Sequence, residues 1–144
     1  NWVRLRDRKS GAEFRVLDIH LDHKSDDARR EQMKMIVGEC AQYADGFPQI
    51  ICGDFNSGIE NAPVACLRDA GWQEAYEAVH GPGEAGFTYH GFEGPDYRKK
   101  NARRIDFIFV RGNLQPVAAE ILRDKVDGLY PSDHYFLMSD FIIQ

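Results

Sequence analysis

The sequence predicts one mixed α/β (α+β) domain, from three observations. Runs with alternating apolar residues occur near both ends of the chain, a helical repeat begins at Ser25, and the short apolar run Gln49–Cys52 follows that repeat. A period of two residues is typical of strands, whereas apolar residues three and four apart are typical of helices. At 144 residues the chain is long enough for one core, and we find no repeat or linker that would divide it.

The first half is predicted to form a hairpin, a helix and a buried strand. Lys9–Gly11 is a turn signal between two strand-like runs, which are therefore expected to pair. Ser25 is an N-cap signal, and the helical spacing continues to Ala44, before a glycine and a proline. The apolar run Gln49–Cys52 is typical of a strand that is covered on both faces.

The second half is predicted to contain two shorter helices and several strands. The helices are expected at 61–70 and 72–79. Strand patterns occur at 104–110 and 134–143, with weaker ones at 87–92 and 117–122.

Composition excludes several classes of protein. The net charge of -5 argues against a protein that coats DNA through charge alone. No apolar run approaches the roughly 18 residues that a membrane-spanning helix requires. The three cysteines lack CxxC spacing, which disfavours a disulfide framework and a zinc site, so we expect buried thiols.

Polar side chains occur at the ends of several predicted strands. Alone, an Asp and an Asn beside glycine can be turn formers, and a single histidine on a strand can be structural. Carboxylates and imidazoles gathered in one place, however, need a shared cation, proton or phosphate. The residues concerned are His20, Asp54, Asn56, Asp106, Asp133 and His134.

Four motifs carry a resemblance to a known family. They are "DIHLDH" (18–23), "GDFN" (53–56), "RIDFIF" (104–109) and "SDHY" (132–135). In this order and with these gaps, they resemble the endonuclease/exonuclease/phosphatase superfamily. The resemblance covers essentially the whole chain.

The resemblance implies a DNase I-like two-sheet β-sandwich flanked by helices. Family members also carry an early Asn and a metal-binding Glu on strands that precede the first hairpin seen here. We therefore expect residues 1–144 to be about the C-terminal half of the family domain, with an incomplete metal site. The tripeptide "DIH" departs from the more frequent Asn-Thr-His, although the histidine is retained.

The resemblance also implies roles for five catalytic residues. Asp54 resembles the residue that orients or deprotonates the attacking water, and Asn56 the donor that positions the water or a phosphate oxygen. His134 resembles a histidine that donates to the phosphate, and Asp106 the partner that holds this imidazole. His20 resembles a further histidine that contacts the phosphate.

A divalent cation is implied by the same resemblance. Asp133 resembles a metal ligand, and Asp54, Asn56 and His134 are the other residues of the implied metal site. Oxygen and nitrogen donors without thiolates suit Mg²⁺, or Mn²⁺ in its place.

The substrate is left open by the sequence. A phosphoester is expected, and nucleic acid, a phosphorylated small molecule and a lipid head group are all compatible with the motifs. Tyr89, His90 and Phe92 either stack on a base or sugar of the substrate or close the core under their loop, and Arg104 is a further candidate substrate contact. Arg104 belongs to a basic cluster that is either a phosphate contact or a solvated loop, formed by Arg98, Lys99, Lys100, Arg103 and Arg104.

Two functions remain open on this basis. The first is metal-dependent phosphoester hydrolysis. The second is a catalytically incomplete half-domain that acts as a binding or assembly module, which would self-associate through the face that the missing half would cover.

Overall fold

The chain forms seven strands and three α-helices within the residues that the structure describes. The structure is a computed structural model that describes residues 1–83, 86–97 and 102–144. The strands are β1 (Trp2–Arg6), β2 (Glu13–His20), β3 (Gln49–Asp54), β4 (Gln73–Glu74), β5 (Asp106–Arg111), β6 (Leu114–Leu122) and β7 (Phe136–Ile143). The helices are α1 (Asp26–Cys40), α2 (Ala62–Asp69) and α3 (Ala75–His80), and a short 3₁₀ turn covers Gly94–Asp96.

Two sheets account for the described strands. The larger has the order β1-β2-β3-β5-β4, and the smaller consists of β6 and β7. In the larger sheet β2 and β3 are parallel, whereas β1 pairs with β2 and β5 pairs with β3 in the antiparallel sense. This register places His20 opposite Asp54 and Asp54 opposite Asp106, so three predicted site residues lie side by side.

The larger sheet lies between a helical layer and the smaller sheet. On one face Ile51 and Phe109 pack with Met33 of α1 and Val64 of α2. On the other face, Ile50 and Val110 form a second cluster with residues that include Leu114 of β6 and Phe141 of β7. Burial on both faces explains why β3 is a continuous apolar run in the sequence.

Most predicted elements are confirmed. Lys9–Gly11 joins β1 to β2, and the Ser25 side chain accepts a hydrogen bond from the Ala28 amide at the start of α1. The patterns at 61–70, 104–110, 117–122 and 134–143 correspond to α2, β5, part of β6 and β7. The pattern at 72–79 forms β4 and most of α3.

Two predicted elements differ from the structure. α1 ends at Cys40 rather than Ala44, because the chain turns and Tyr43 stacks on Phe47 with 5.1 Å between ring centroids. Residues 87–92 form no regular strand; Tyr89 makes an isolated bridge to His134. The smaller sheet is therefore not extended by this segment.

Two expectations from composition can be compared with the fold. No helix in the described ranges has the length and apolar character needed to cross a bilayer. All three cysteines are free, but only Cys40 is fully buried, and Cys52 and Cys66 are half-buried.

Candidate active site

The Asp54 loop begins at a position that requires glycine. Gly53 has a φ of +130°, and a Cβ there would lie 2.0 Å from the Ile19 carbonyl oxygen. β2 and β3 can therefore approach closely where both strands end. Phe55 turns back into the core, with its ring 5.2 Å from the Phe107 ring. These two anchors fix the backbone on either side of the Asp54 carboxylate.

Asn56 secures the same loop from the other end. Its φ is +48°, a left-handed conformation that Asn tolerates better than most residues. Its backbone amide donates to Asp54 Oδ1 at 2.6 Å, and its side-chain Nδ2 donates to the Leu21 carbonyl at 2.9 Å. The loop is thus tied to the end of β2, and one of the two amide hydrogens of Asn56 is already engaged.

Asp106 and His134 form a hydrogen-bonded pair. Their Oδ2 and Nδ1 atoms lie 2.8 Å apart, and both side chains are about four-fifths buried. The hydrogen bond that the His134 ring donates to the Asp106 carboxylate raises the pKa of His134 above its ordinary value, against the opposing effect of burial. The pairing leaves Nε2 as the ring nitrogen that can act on a second group.

The surroundings of Asp54 disfavour its charged form, whereas those of His134 favour the charged ring. Burial is the main cause that raises the pKa of this carboxyl, and the nearby Asp106 raises it further. The Asn56 amide, His134 and His20 oppose this increase. The exposed His20 ring places Nε2 3.5 Å from Asp54 Oδ2. A carboxylate whose pKa is raised is a stronger base than an ordinary one, so Asp54 is suited to accept a proton.

A small group of atoms could hold a cation. Asp54, Asp106 and His134 each offer one ligand atom, and these atoms lie within 4.8 Å of one another. Oxygen and imidazole nitrogen suit a hard divalent cation, although the Asp106–His134 hydrogen bond competes for two of these side chains. Among the described carboxylates, Asp133 does not join this group.

Asp133 lies at the wall of the same cavity. The cavity has a volume of about 650 Å³ and is lined by residues of β2, β3, β5 and the segment before β7. The Asp133 carbonyl accepts hydrogen bonds from the amides of His90 and Gly91. The His134 amide donates to Ser132 Oγ at 3.1 Å. These contacts fix the backbone from which Asp133 and His134 project.

Two predicted substrate contacts occupy other positions. Arg104 is buried and its guanidinium nitrogens lie 3.2 Å from both Glu74 carboxylate oxygens. His90 is fully buried, with its ring stacked on Tyr135 and its Nδ1 accepting from the Gly94 amide. Because neither side chain reaches solvent, the structure does not support substrate contact by Arg104 or His90.

The other predicted contacts that the structure describes are not fully buried. The Tyr89 ring meets the His134 ring edge to face, with 5.1 Å between centroids. Phe92 is exposed, and so is Arg103, whose stem lies against Gly58. Arg98, Lys99 and Lys100 of the basic cluster lie outside the described residues.

Sequence reasoning missed three residues at this site. Asp18 and Cys52 line the cavity. Asp18 is two residues before His20 on the same strand, so the alternation predicts that both lie on one face. No sequence pattern indicates that Cys52 lines the cavity. Burial raises the pKa of the Cys52 thiol and so disfavours its thiolate form. The third residue, Thr88, contacts the start of β5.

Comparisons with known proteins agree with this architecture. The sequence profile of the Endonuclease/Exonuclease/phosphatase family matches residues 2–134. No curated protein matches the sequence significantly.

Solved structures extend the comparison to the fold. A conserved protein of unknown function from Enterococcus faecalis is 26% identical, with a TM-score of 0.83 over 99% of this chain and 55% of its own. A mannosyl-6-phosphatase from Bacteroides thetaiotaomicron is 22% identical, with a TM-score of 0.83 over 98% of this chain and 55% of its own. D. rerio TDP2, complexed with a single-strand DNA product, is 18% identical, with a TM-score of 0.74 over 99% of this chain and 61% of its own. The predicted fold is confirmed, and the chain spans little more than half the length of these structures.

Proposed function

The chain belongs to the endonuclease/exonuclease/phosphatase family, and we propose that it supplies catalytic residues for hydrolysis of a phosphoester. The observation that carries the proposal is the Asp54, Asp106 and His134 cluster at one end of the larger sheet. Its three members combine a carboxyl of raised pKa with a carboxylate-held imidazole of raised pKa. Such a division between a proton acceptor and a proton donor is what hydrolysis requires.

In this mechanism Asp54 orients a water molecule and accepts its proton as the oxygen approaches phosphorus. His134 donates from Nε2 to a phosphate oxygen on which negative charge develops, while Asp106 holds Nδ1. The free amide hydrogen of Asn56 and the His20 ring provide further donors. Loss of one donor of this kind typically costs about 2.7–4 kcal/mol of transition-state stabilisation.

A bound Mg²⁺, or Mn²⁺, would neutralise charge on the phosphate. Asp54 would hold it, with Asn56 and Asp133 contributing from the adjoining backbone segments, because the Asp106 hydrogen bond and the proton on Nε2 occupy both ring nitrogens of His134. The carboxylate and amide donors fit such an ion, and burial disfavours the thiolate form of Cys52 in the same cavity.

We also propose that residues 1–144 form the C-terminal portion of a longer family domain. The chain spans 55% of the Enterococcus faecalis structure. The described cluster offers one atom from each of three residues, whereas Mg²⁺ takes six ligands and retains several waters. Further carboxylates from a preceding segment would complete the site.

The substrate is a phosphoester of nucleic acid, a small molecule or a lipid head group. The relatives include a protein named as a phosphatase and one complexed with DNA, so the test must separate these classes. Tyr89, beside His134, and Arg103, beside the Asp54 loop, are the described side chains best placed to contact the remainder of the substrate.

Activity measurements test the proposal directly. Bis-p-nitrophenyl phosphate, p-nitrophenyl phosphate and plasmid DNA are incubated with Mg²⁺, Mn²⁺ or EDTA. The enzyme is this chain, alone and extended by any sequence that its gene encodes before Asn1. We expect metal-dependent hydrolysis that Asp54→Ala abolishes and that the control Asp45→Ala retains, since Asp45 is exposed and pairs with Arg111 at the opposite end of β5 from Asp106. Absence of hydrolysis in both lengths would refute the proposal.

An assembly module is the second candidate, and one surface favours it. Phe136, Met138 and Ile142 alternate along β7 and are 40–53% exposed. In the described chain β7 pairs with β6 and has no strand on its other edge, and an exposed apolar edge strand favours association. Sedimentation over a range of concentrations would show self-association that Met138→Lys weakens and that Met35→Lys, on α1, leaves unchanged. A monomer at all concentrations would exclude this candidate.

A further inference from the structure

Thr88 lies at the junction between β5 and the segment that carries His134. Its side chain is fully buried. Its Oγ1 accepts hydrogen bonds from the backbone amides of Ile105 at 3.1 Å and Asp106 at 3.3 Å. A single hydroxyl therefore fixes the backbone at the residue that holds the His134 imidazole.

The position of Thr88 follows from the shortness of β4. β4 pairs with Val110 and Phe109 of β5 and does not extend to Asp106. On this side of β5 the Asp106 amide consequently lacks a carbonyl from a neighbouring strand. Because a buried amide without an acceptor is costly, the Thr88 hydroxyl substitutes for that missing carbonyl.

The backbone around Thr88 binds the other half of the pair. The Tyr135 amide donates to the Thr88 carbonyl at 2.9 Å, and Tyr89 forms a bridge with His134. Thr88 thus contacts the backbone beside Asp106 through its side chain and the backbone beside His134 through its carbonyl.

We propose that Thr88 is a positioning residue that sets the relative placement of Asp106 and His134 for catalysis. This inference rests on the proposed hydrolysis. Thr88 touches no reacting atom; it acts through the backbone on either side of the pair. Its hydroxyl is the group on which the effect depends, because valine has nearly the same shape but accepts no hydrogen bond.

Kinetics of three variants test the role of the hydroxyl. Thr88→Val is expected to lower kcat by roughly tenfold to a hundredfold, since displacement of a catalytic group by about 1 Å has effects of this size. KM should change little, because the substrate contacts are intact. Thr88→Ser should recover most of kcat. Ser139→Ala, which removes a hydroxyl bonded to the Ala118 carbonyl in the smaller sheet, should leave kcat unchanged.

A second measurement does not depend on turnover. The Nδ1 proton shared by His134 and Asp106 should give a downfield resonance in the proton NMR spectrum of this chain. Thr88→Val should abolish or shift it, whereas Thr88→Ser and Ser139→Ala should retain it. If Thr88→Val does not fold, Thr88→Ala and Thr88→Ser provide the same comparison of a variant without the hydroxyl and one with it.

The outcomes separate the inference from the proposed function. If a folded variant without the hydroxyl keeps the wild-type kcat and the wild-type resonance, the proposed role of Thr88 is overturned. If the wild-type protein hydrolyses no phosphoester, the proposed function fails and the resonance alone decides. Its loss without the hydroxyl would then still support positioning of the pair by Thr88, and its retention would refute it.

Discussion

At the scale of single residues, the site disfavours the charged form of Asp54 and favours the charged form of His134. Asp54 lies opposite Asp106 across the sheet, and both carboxyls are about four-fifths buried. The hydrogen bond between Asp106 and His134 reduces the resulting repulsion. Most of the remaining unfavourable free energy therefore comes from the buried charge of Asp54. Residues that destabilise a fold in this way are common where chemistry is performed.

The replacement Asp54→Asn should stabilise the protein while it removes activity. The uncharged amide avoids burial of a carboxylate and can still accept a hydrogen bond from the Asn56 amide. We expect the free energy of unfolding to rise by about 0.5–2 kcal/mol, the usual gain from relieving such a site. Turnover should fall by roughly 10²–10⁴-fold, as for the loss of a general base. Urea unfolding at neutral pH measures the first effect; a decrease in stability would contradict this expectation, and Asp45→Asn is the control.

The Asp106–His134 pair should make stability depend on pH. Because the pKa of His134 is raised in the folded state, the pair's contribution is fully present below the ordinary histidine value of about 6.5 and is lost as pH rises through the folded value. The carboxyls of Asp54, Asp106 and Asp133 all favour the charged ring. Urea unfolding in EDTA should therefore show a larger difference between wild type and His134→Gln at about pH 6 than at about pH 9. A constant difference would mean that the imidazole is not charged in the fold.

At the scale of secondary-structure elements, the close approach of β2 and β3 determines where the site can form. Gly53→Ala would place a Cβ 2.0 Å from the Ile19 carbonyl oxygen, a backbone atom that cannot move independently of β2. We expect destabilisation of about 1–3 kcal/mol or more, with loss of activity. Gly38→Ala is the matched control, because the residue is inside α1 and an added Cβ would meet no atom within 4 Å outside the backbone of that helix. It should stabilise the helix by about 0.5–1 kcal/mol; equal effects of both substitutions on chemical unfolding would contradict the steric argument.

The buried ion pair between β4 and the start of β5 provides another test. Arg104 and Glu74 are each at most 3% exposed, and the guanidinium also lies over the rings of Tyr76 and Phe107. Arg104→Ala should destabilise the protein by about 3–5 kcal/mol, because the Glu74 carboxylate remains buried without its cation. Arg104→Met combined with Glu74→Gln should restore most of this loss, since the amide can still accept from the Glu77 amide. A large rise in KM with unchanged stability would instead indicate substrate contact.

The site residues at the strand ends could be predicted from the sequence, whereas the burial of Arg104 and the role of Thr88 could not. The strand ends could be predicted because an Asp or His directly after an apolar run marks the point where a strand leaves the core. The fold places five of the six predicted polar residues around one cavity, and Asn56 alone does not line it. The burial of Arg104 depends on Glu74, thirty residues earlier, and no local pattern distinguishes it from its exposed neighbour. Likewise, Thr88 matters because β4 is short, which only the assembled sheet reveals.

At the scale of the whole molecule, the described cluster is a partial cation site. Linkage relates this to stability: a ligand that binds only the folded state at about 100 times its Kd raises the free energy of unfolding by about 2.7 kcal/mol. We expect millimolar Mg²⁺ to stabilise this chain weakly, because three residues contribute one ligand atom each. The N-terminally extended protein should be stabilised more, and Asp54→Ala should remove the effect in both. Thermal unfolding with and without Mg²⁺ measures this difference. Equal stabilisation of both lengths would show that residues 1–144 already contain a complete site, and it would exclude the proposal that a preceding segment supplies the remaining ligands.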